Sequence, residues 1–479
     1  MATMNVVSSP NNETKGGCTR ACQYLKSLPK SVKDNVVNFT LEAKKLGQDD
    51  PRKIYHALKV GFAITVVSLF YYFQALYNGF GVSAMWAVIT VVVVFEFTVG
   101  ATLGKGLNRM ISTCVAGFLG VVAHYLADLS GETGEPILLA LFGFIVASIL
   151  TFMRFFPKLK AKYDYGLMIF ILTFALVAVS GYRDDEVIKI AQQRLATILI
   201  GSCIAMLICI LISPVWTGAE LHNLIASNME KLGNFLEGFG SEYMTTKDEK
   251  SKEEKSFRQQ YKSVLGTKST EETMANFAFW EPSHGKFKFR HPWKQYLKIG
   301  ALIRKCAYSI DALNNYLNPD ILQMQTPEEI EEMMREACKK LSNELGKVPK
   351  EAAIGLKKMR KTSTPKTQLA ETKEAAKELK RLLQDTSVWE KSNLLDVLPA
   401  VTVASILIDI VDCVESITEA VHELASMADF KTMDNEIVCP EKELSQIVVV
   451  GDVTDIDTHV PDHQKVTTSS AESETKTSH

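Results

Sequence analysis

From about residue 54 to residue 216 the chain is a series of apolar runs. Beyond that it mixes charged and apolar positions at helical spacing. Six runs, about 54–76, 82–100, 107–127, 136–156, 163–180 and 192–216, approach the roughly 20 residues a helix needs to cross a bilayer. A seventh candidate, Val397–Ile408, meets Asp409 and Asp412 too soon, which suits a buried soluble helix better. The pattern therefore predicts an all-α membrane protein with six transmembrane helices, followed by a cytosolic helical bundle.

The second half predicts helices over Glu220–Tyr243, Leu297–Asn315, Pro327–Leu345, Pro349–Met359, Gln368–Leu383 and Leu394–Met427. In the last, Leu394, Leu398, Val401, Ile408 and Val411 share one face, as a core helix of a bundle requires. A non-helical insert begins near Phe277. Upstream of the first run, Ser31–Leu46 reads as an amphipathic helix with Val32, Val36 and Phe39 on one side. Asp50-Pro51 reads as a start signal for the helix that follows. Four regions result: an amino-terminal segment (1–49), a membrane domain (50–216), a cytosolic domain (217–434) and a flexible acidic, Ser/Thr-rich tail (435–479).

Charge refines this picture. The net charge of −2 is an average over unlike halves, so it excludes little. Orientation follows from lysines and arginines near the ends of the runs. Lys44, Lys45, Arg52 and Lys53 precede the first run, and Lys158, Lys160 and Lys162 follow the fourth. The hairpin loops after the first and third runs have neither residue type. Both termini are expected on the cytosolic side, and no cleavable signal peptide is expected in MATMNVVSSPNNETK. The nine cysteines lack metal-ligand spacing and read as free thiols. No phosphate loop, zinc spacing or nucleophilic triad is recognisable, so neither an enzyme, a cofactor nor a bound metal is expected. The basic runs at Lys357–Lys361 and Lys286–His291 read as solvated or lipid-facing patches, not nucleic-acid sites.

The most informative stretch is MWAVITVVVVFEFTVGATLGKGLNR, Met85–Arg109. Glu96 lies inside an apolar run, which is expected to break at Gly100, Gly104 and Gly106 and to deliver Lys105 and Arg109 to the next helix. Lys59, Arg154 and Arg194 are further cations within or beside apolar runs. Each could snorkel to the headgroups or line a pathway. The intramembrane surplus is positive, which favours anions. Glu96 has two readings, a packing partner for one of these cations or a gating or proton-coupling group. Trp86 is either an interfacial anchor or part of a constriction. Arg109 and Arg194 open similar helices, each with a small hydroxyl residue three positions on and a glycine about two turns later (Gly117, Gly201). That echo suggests a 3+3 inverted repeat.

Three segments, Trp86–Arg109, Arg154–Glu186 and Pro214–Leu232, resemble the plant aluminium-activated malate transporters. Trp280-Glu281-Pro282 and the following HGKFKFRHPWKQYLKIGALIRKCAYSIDAL are similar to that family's cytosolic signature. The likeness runs from about Asp50 to Phe430. It implies a homodimer in a lipid bilayer around an anion path, conducting malate and other anions such as chloride or nitrate. By the same likeness Arg109, Arg154 and Arg194 line the path, and Glu281 is tied to activity. Activation by aluminium is not expected to follow from the name, because Asp184, Asp185 and Glu186, with Asp128 or Glu132, are the main outer carboxylates available to a trivalent cation. The plasma membrane is the expected location and the vacuolar membrane the alternative. Two rival functions are a proton-coupled organic-acid exporter using Glu96 or His124, and a non-transporting scaffold.

Overall fold

A computed structural model describes residues 30–73, 85–131, 133–181, 187–242, 258–316, 328–385 and 394–432. The first outer loop, the acids at 184–186, Glu132 and the two chain ends lie outside the described residues. Helix α1 spans Lys30–Asp49. Asp50 then takes the Arg52 N–H at 3.2 Å and starts α2, Arg52–Tyr72. Helix α3 is ten residues long, Met85–Val94. It is followed by α4 (Val99–Asp128), α5 (Glu135–Met153), α6 (Pro157–Gly181) and α7 (Val187–Leu211).

The break expected at Gly100, Gly104 and Gly106 falls earlier. It lies between Val94 and Val99, and α4 runs unbroken through all three glycines. Thr98 sets the boundary, since its extended backbone and its side chain, accepting from the Ala101 N–H at 3.4 Å, form an N-cap. The glycines serve contact instead. A Cβ on Gly104 would lie 3.0 Å from the Trp280 ring, and one on Gly106 3.1 Å from the Met206 sulfur.

Burial in this half is inverted relative to a water-soluble core. Ile111, Val115, Phe118, Val122 and Tyr125 on α4, and Ile137, Leu141, Phe144 and Phe152 on α5, are exposed. Lys59, Thr90, Thr102, Asn108, Arg109, Thr113, Thr197 and Ser202 are buried. An apolar outside around polar inside groups is what a bilayer solvent selects. The helix contacts also pair off. The α2–α3, α3–α7, α2–α7 and α3–α4 contacts have counterparts in α5–α6, α6–α4, α5–α4 and α6–α7, while α4 packs on α7.

The second half buries apolar residues in the usual way. It comprises α8 (Thr217–Glu242), α9 (Lys268–Ala278), α10 (Trp293–Asn315), α11 (Glu328–Lys358), α12 (Thr364–Gln384) and α13 (Leu394–Met427). Leu221, Phe235, Tyr296, Ile303, Leu341 and Leu407 belong to one shared core. Two helices expected around Pro349 are a single one, α11, with Pro349 inside it. Close backbone crossing of α8 and α11 at Gly233 and Gly346 holds the helix through the missing hydrogen bond. Two-residue strands, β1 (Arg360–Lys361) and β2 (Lys431–Thr432), pair in parallel.

Among the described residues five helices are long and apolar enough to cross a membrane: α4, α5, most of α6, most of α7, and Val397–Met427 within α13. The last packs on α10, α11 and α12, with Val403, Leu407, Ile410, Val414 and Ile417 buried in the shared core. Its apolar face is thus already used. Helix α2 carries Arg52, Lys53, His56 and Lys59 in its first half, and α3 has ten described residues, so neither is among the five.

Candidate functional site: unpaired cations and a carboxylate joint

The cations within or beside the apolar helices divide by their partners. Lys105 pairs with Glu96, which sits in the bend between α3 and α4. Arg154 closes α5 and makes a two-pronged contact with Asp164 of α6, at 2.7 and 3.2 Å. Both charges are locally neutralised. Arg109, Arg194 and Lys59 differ: among the described residues no carboxylate pairs with them. Arg109 is buried and donates to the Tyr165 hydroxyl at 3.0 Å, while its Nε has no hydrogen-bond partner. Arg194 places its guanidinium over the Trp86 ring, 4.7 Å from the centroid. Lys59, also buried, donates to the Ser213 carbonyl at 3.1 Å. Ser213 has φ +42°, a strained turn that presents its carbonyl just after α7.

These cations occupy two levels of the helix packing. Lys105 and Arg109 are one turn apart on α4, and the Tyr165 ring lies 5.9 Å from the Lys105 ammonium. Both lie in the first half of α4, at the end nearer the second-half helices. Arg194 and Trp86 belong to the first halves of α7 and α3, whose far ends approach those helices. A positive side chain beside an aromatic ring or hydroxyl keeps its field, whereas one clamped by a carboxylate largely loses it. The unpaired cations are therefore the groups able to draw in an anion.

A carboxylate joins the two halves. Oε1 of Glu281 accepts from the Gly100 N–H at 3.1 Å and the Thr217 N–H at 2.6 Å, and Oε2 accepts from the Gly218 N–H at 3.0 Å. These donors are the first turns of α4 and α8, so one carboxylate caps two helices. Glu281 is buried, and burial pushes its pKa up. The Gly218 and Thr217 donors, with His284 at 3.8 Å, pull against that rise, and the ionised form is the one this geometry serves. Close packing seals the joint. A Cβ on Gly100 would lie 2.6 Å from the Phe277 carbonyl, and one on Gly218 would run into the Trp293 ring.

The sequence did not single out several participants. Tyr165 and Ser213 help decide which cations stay unpaired, yet each looks ordinary in its local run, and Asp164 stands out in the sequence only as an acid near the end of an apolar run. Arg154 and Asp164, ten residues apart across a tight connection, could have been suggested as a pair. His124 lies 3.5 Å from Glu135. Gly201 of the suspected repeat packs on the Ala87 backbone of α3, whereas Gly117 meets open space and it is Gly120 that packs on Val177 of α6. The outer acids Asp184, Asp185 and Glu186 lie outside the described residues.

Several known proteins are similar to this chain over most of its length. A family model described as aluminium activated malate transporter matches residues 44–390. Aluminum-activated malate transporter 2 of Arabidopsis thaliana is 52% identical over 402 residues, covering 83% of this chain and 79% of that protein. Aluminum-activated malate transporter 1 of the same plant is 47% identical, covering 91% and 88%. Aluminum-activated malate transporter 1 of Triticum aestivum is 43% identical, covering 82% and 87%. These relatives are named as transporters, not as enzymes.

Proposed function

Because the chain belongs to the aluminium-activated malate transporter family, we propose that it transports malate across a membrane as a passive anion channel, with Arg109, Arg194 and Lys59 drawing the anion through. The unpaired state of these three cations carries the reading. An arginine at membrane depth costs roughly 2.5–3.5 kcal/mol on the permissive scale. Three cations without a carboxylate partner among the described residues are hard to explain as packing, and simple to explain as sites for a passing anion. Several weak sites let a dianion enter and leave again. Each elementary charge gains about 2.3 kcal/mol per 100 mV, so an inside-negative membrane drives malate outward without coupled energy. Chloride and nitrate would follow the same route.

In this reading α2–α7 are six spans with both termini cytosolic. Residues 1–49 form an amino-terminal cytosolic segment, 50–216 the membrane domain, 217–434 the cytosolic bundle and 435–479 the tail. The paired contacts of α2–α4 and α5–α7 support a 3+3 inverted repeat in which Arg109 and Arg194 correspond. The exposed apolar stripe on α4 suits lipid or a second copy in a homodimer. The plasma membrane is the proposed location. Lys105 and Arg154, being neutralised, act in packing and gating more than in conduction. Glu96, held by Lys105, fits a fixed counter-charge better than a proton carrier.

Charge neutralisation tests the assignment. Arg109→Gln and Arg194→Gln should each cut malate current per surface protein, with malate losing more than monovalent chloride. Unchanged current and selectivity in correctly targeted variants would refute it.

A further inference from the structure

A cavity of about 770 Å³ lies where the two halves meet. Its wall carries Lys162 from the start of α6, and Arg290, Lys294 and Lys298 from the start of α10 and the loop before it. No carboxylate lines it among the described residues. Glu423, just outside, holds Lys298 at 2.7 Å and leaves the other three cations in excess. Lys162 is cantilevered over the Phe279 ring, 4.4 Å from its centroid, and Arg290 holds a left-handed backbone with φ +58°. Arg290 and Lys294 are both exposed, as is the Phe289 ring beside them. The first turn of α10, a 23-residue helix, opens on the same space.

We propose that this cavity binds the phosphorylated headgroup of an anionic membrane lipid, of the inositol phospholipid class. The inference rests on the membrane placement of α6 proposed above. Three cations in excess around a cavity that no carboxylate lines among the described residues, at a helix amino terminus, match the multiple phosphate oxygens of such a headgroup. Position selects lipid over a free phosphate compound. Lys158, Lys160 and Lys162 begin an apolar helix of 25 residues, which puts them at the bilayer surface, and exposed Phe279 and Phe289 can meet acyl chains. The bound headgroup bridges α6 to α10, and therefore the membrane half to the bundle beside the Glu281 joint.

The test uses the purified full-length protein in phosphatidylcholine nanodiscs and a fluorescent short-chain phosphatidylinositol phosphate as probe. Arg290→Gln with Lys294→Gln should weaken binding roughly twentyfold or more, at about fivefold per cation removed. Lys340→Gln with Lys377→Gln, which removes equal charge from α11 and α12, neither of which lines the cavity, should leave it unchanged. Equal weakening by both pairs, or equal binding of phosphatidylserine, would reduce the effect to general surface charge and overturn the proposal. Binding of inositol phosphate or ATP as tight as that of the lipid would assign the cavity to a soluble phosphate compound and also overturn it. Displacement by malate would make the cavity part of the anion route instead. Malate flux from the same preparation separates the two claims: lipid binding without flux refutes the channel alone, and flux without lipid binding refutes this site alone.

Discussion

Replacing Glu281 with alanine removes the single acceptor of three buried N–H groups at 2.6, 3.0 and 3.1 Å. Each donor left unsatisfied costs about 1–3 kcal/mol. Water entry and relief of the carboxylate's own desolvation offset part of the sum, so about 3–5 kcal/mol is the net expectation. Glu281→Gln keeps an oxygen for Gly100 and Thr217 but turns an amide N–H2 toward the Gly218 N–H, and should cost about 1–3 kcal/mol. For a unit of 150–250 residues, 1 kcal/mol shifts the melting temperature by roughly 2–4 °C. The alanine variant should then melt roughly 6–20 °C below wild type, with glutamine between them. Tryptophan fluorescence of the detergent-purified full-length protein reads this directly, since Trp293 lies against Gly218 at the joint. Malate current per surface protein should fall in the same order as stability. An alanine variant that melts with wild type but passes no malate would refute the clamp and place Glu281 in conduction or gating.

Other outcomes follow from the same contacts. Arg154→Gln should disturb malate current less than Arg109→Gln, and adding Asp164→Asn should restore most of what it loses, because the pair is self-neutralising; current recordings of the three variants decide this. His222 and His291 share the Tyr296 hydroxyl at 2.8 and 3.3 Å, and burial lowers both pKa values from 6.5 to about 4. Since the unfolded chain binds these protons first, their stability contribution is complete above about pH 6.5 and is lost as pH falls toward 4. Taken singly each is worth about 3 kcal/mol, and the shared partner makes them non-additive. Melting temperature against pH should fall through that window and flatten in His222→Phe with His291→Phe. Gly100→Ala should destabilise by about 1–3 kcal/mol despite alanine's better helix propensity, because the Phe277 carbonyl occupies the space, and a melting curve at or above wild type would contradict this.

The sequence reveals long, strongly periodic elements best. Helix α13 falls on Leu394–Met427 as its spacing predicts, and α8 and α12 lie within a few residues of expectation. Misreadings arise where a local signal competes with distant packing. Three glycines read as a helix break because glycine is a poor helix former, whereas Trp280, Phe277 and Met206 use them as contact surfaces from elsewhere in the chain. Pro349 read as the start of a new helix because its lost hydrogen bond is local, while the crossing of α8 on α11 that overrides it is not. The candidate site shows the same division. Cations in apolar runs were visible at once. Which of them remain unpaired depends on Asp164, Tyr165 and the bend at Glu96, and the reach of Glu281 to Gly100 spans 181 positions.

The central claim, that unpaired cations let a dianion pass down its gradient, is tested most directly by current from the expressed protein with malate as the sole permeant anion. The account predicts a large current whose reversal potential follows the malate gradient at fixed pH, and which Arg109→Gln with Arg194→Gln abolishes. A reversal potential that follows the proton gradient instead, or a surface-expressed protein whose current survives loss of both arginines, would contradict it.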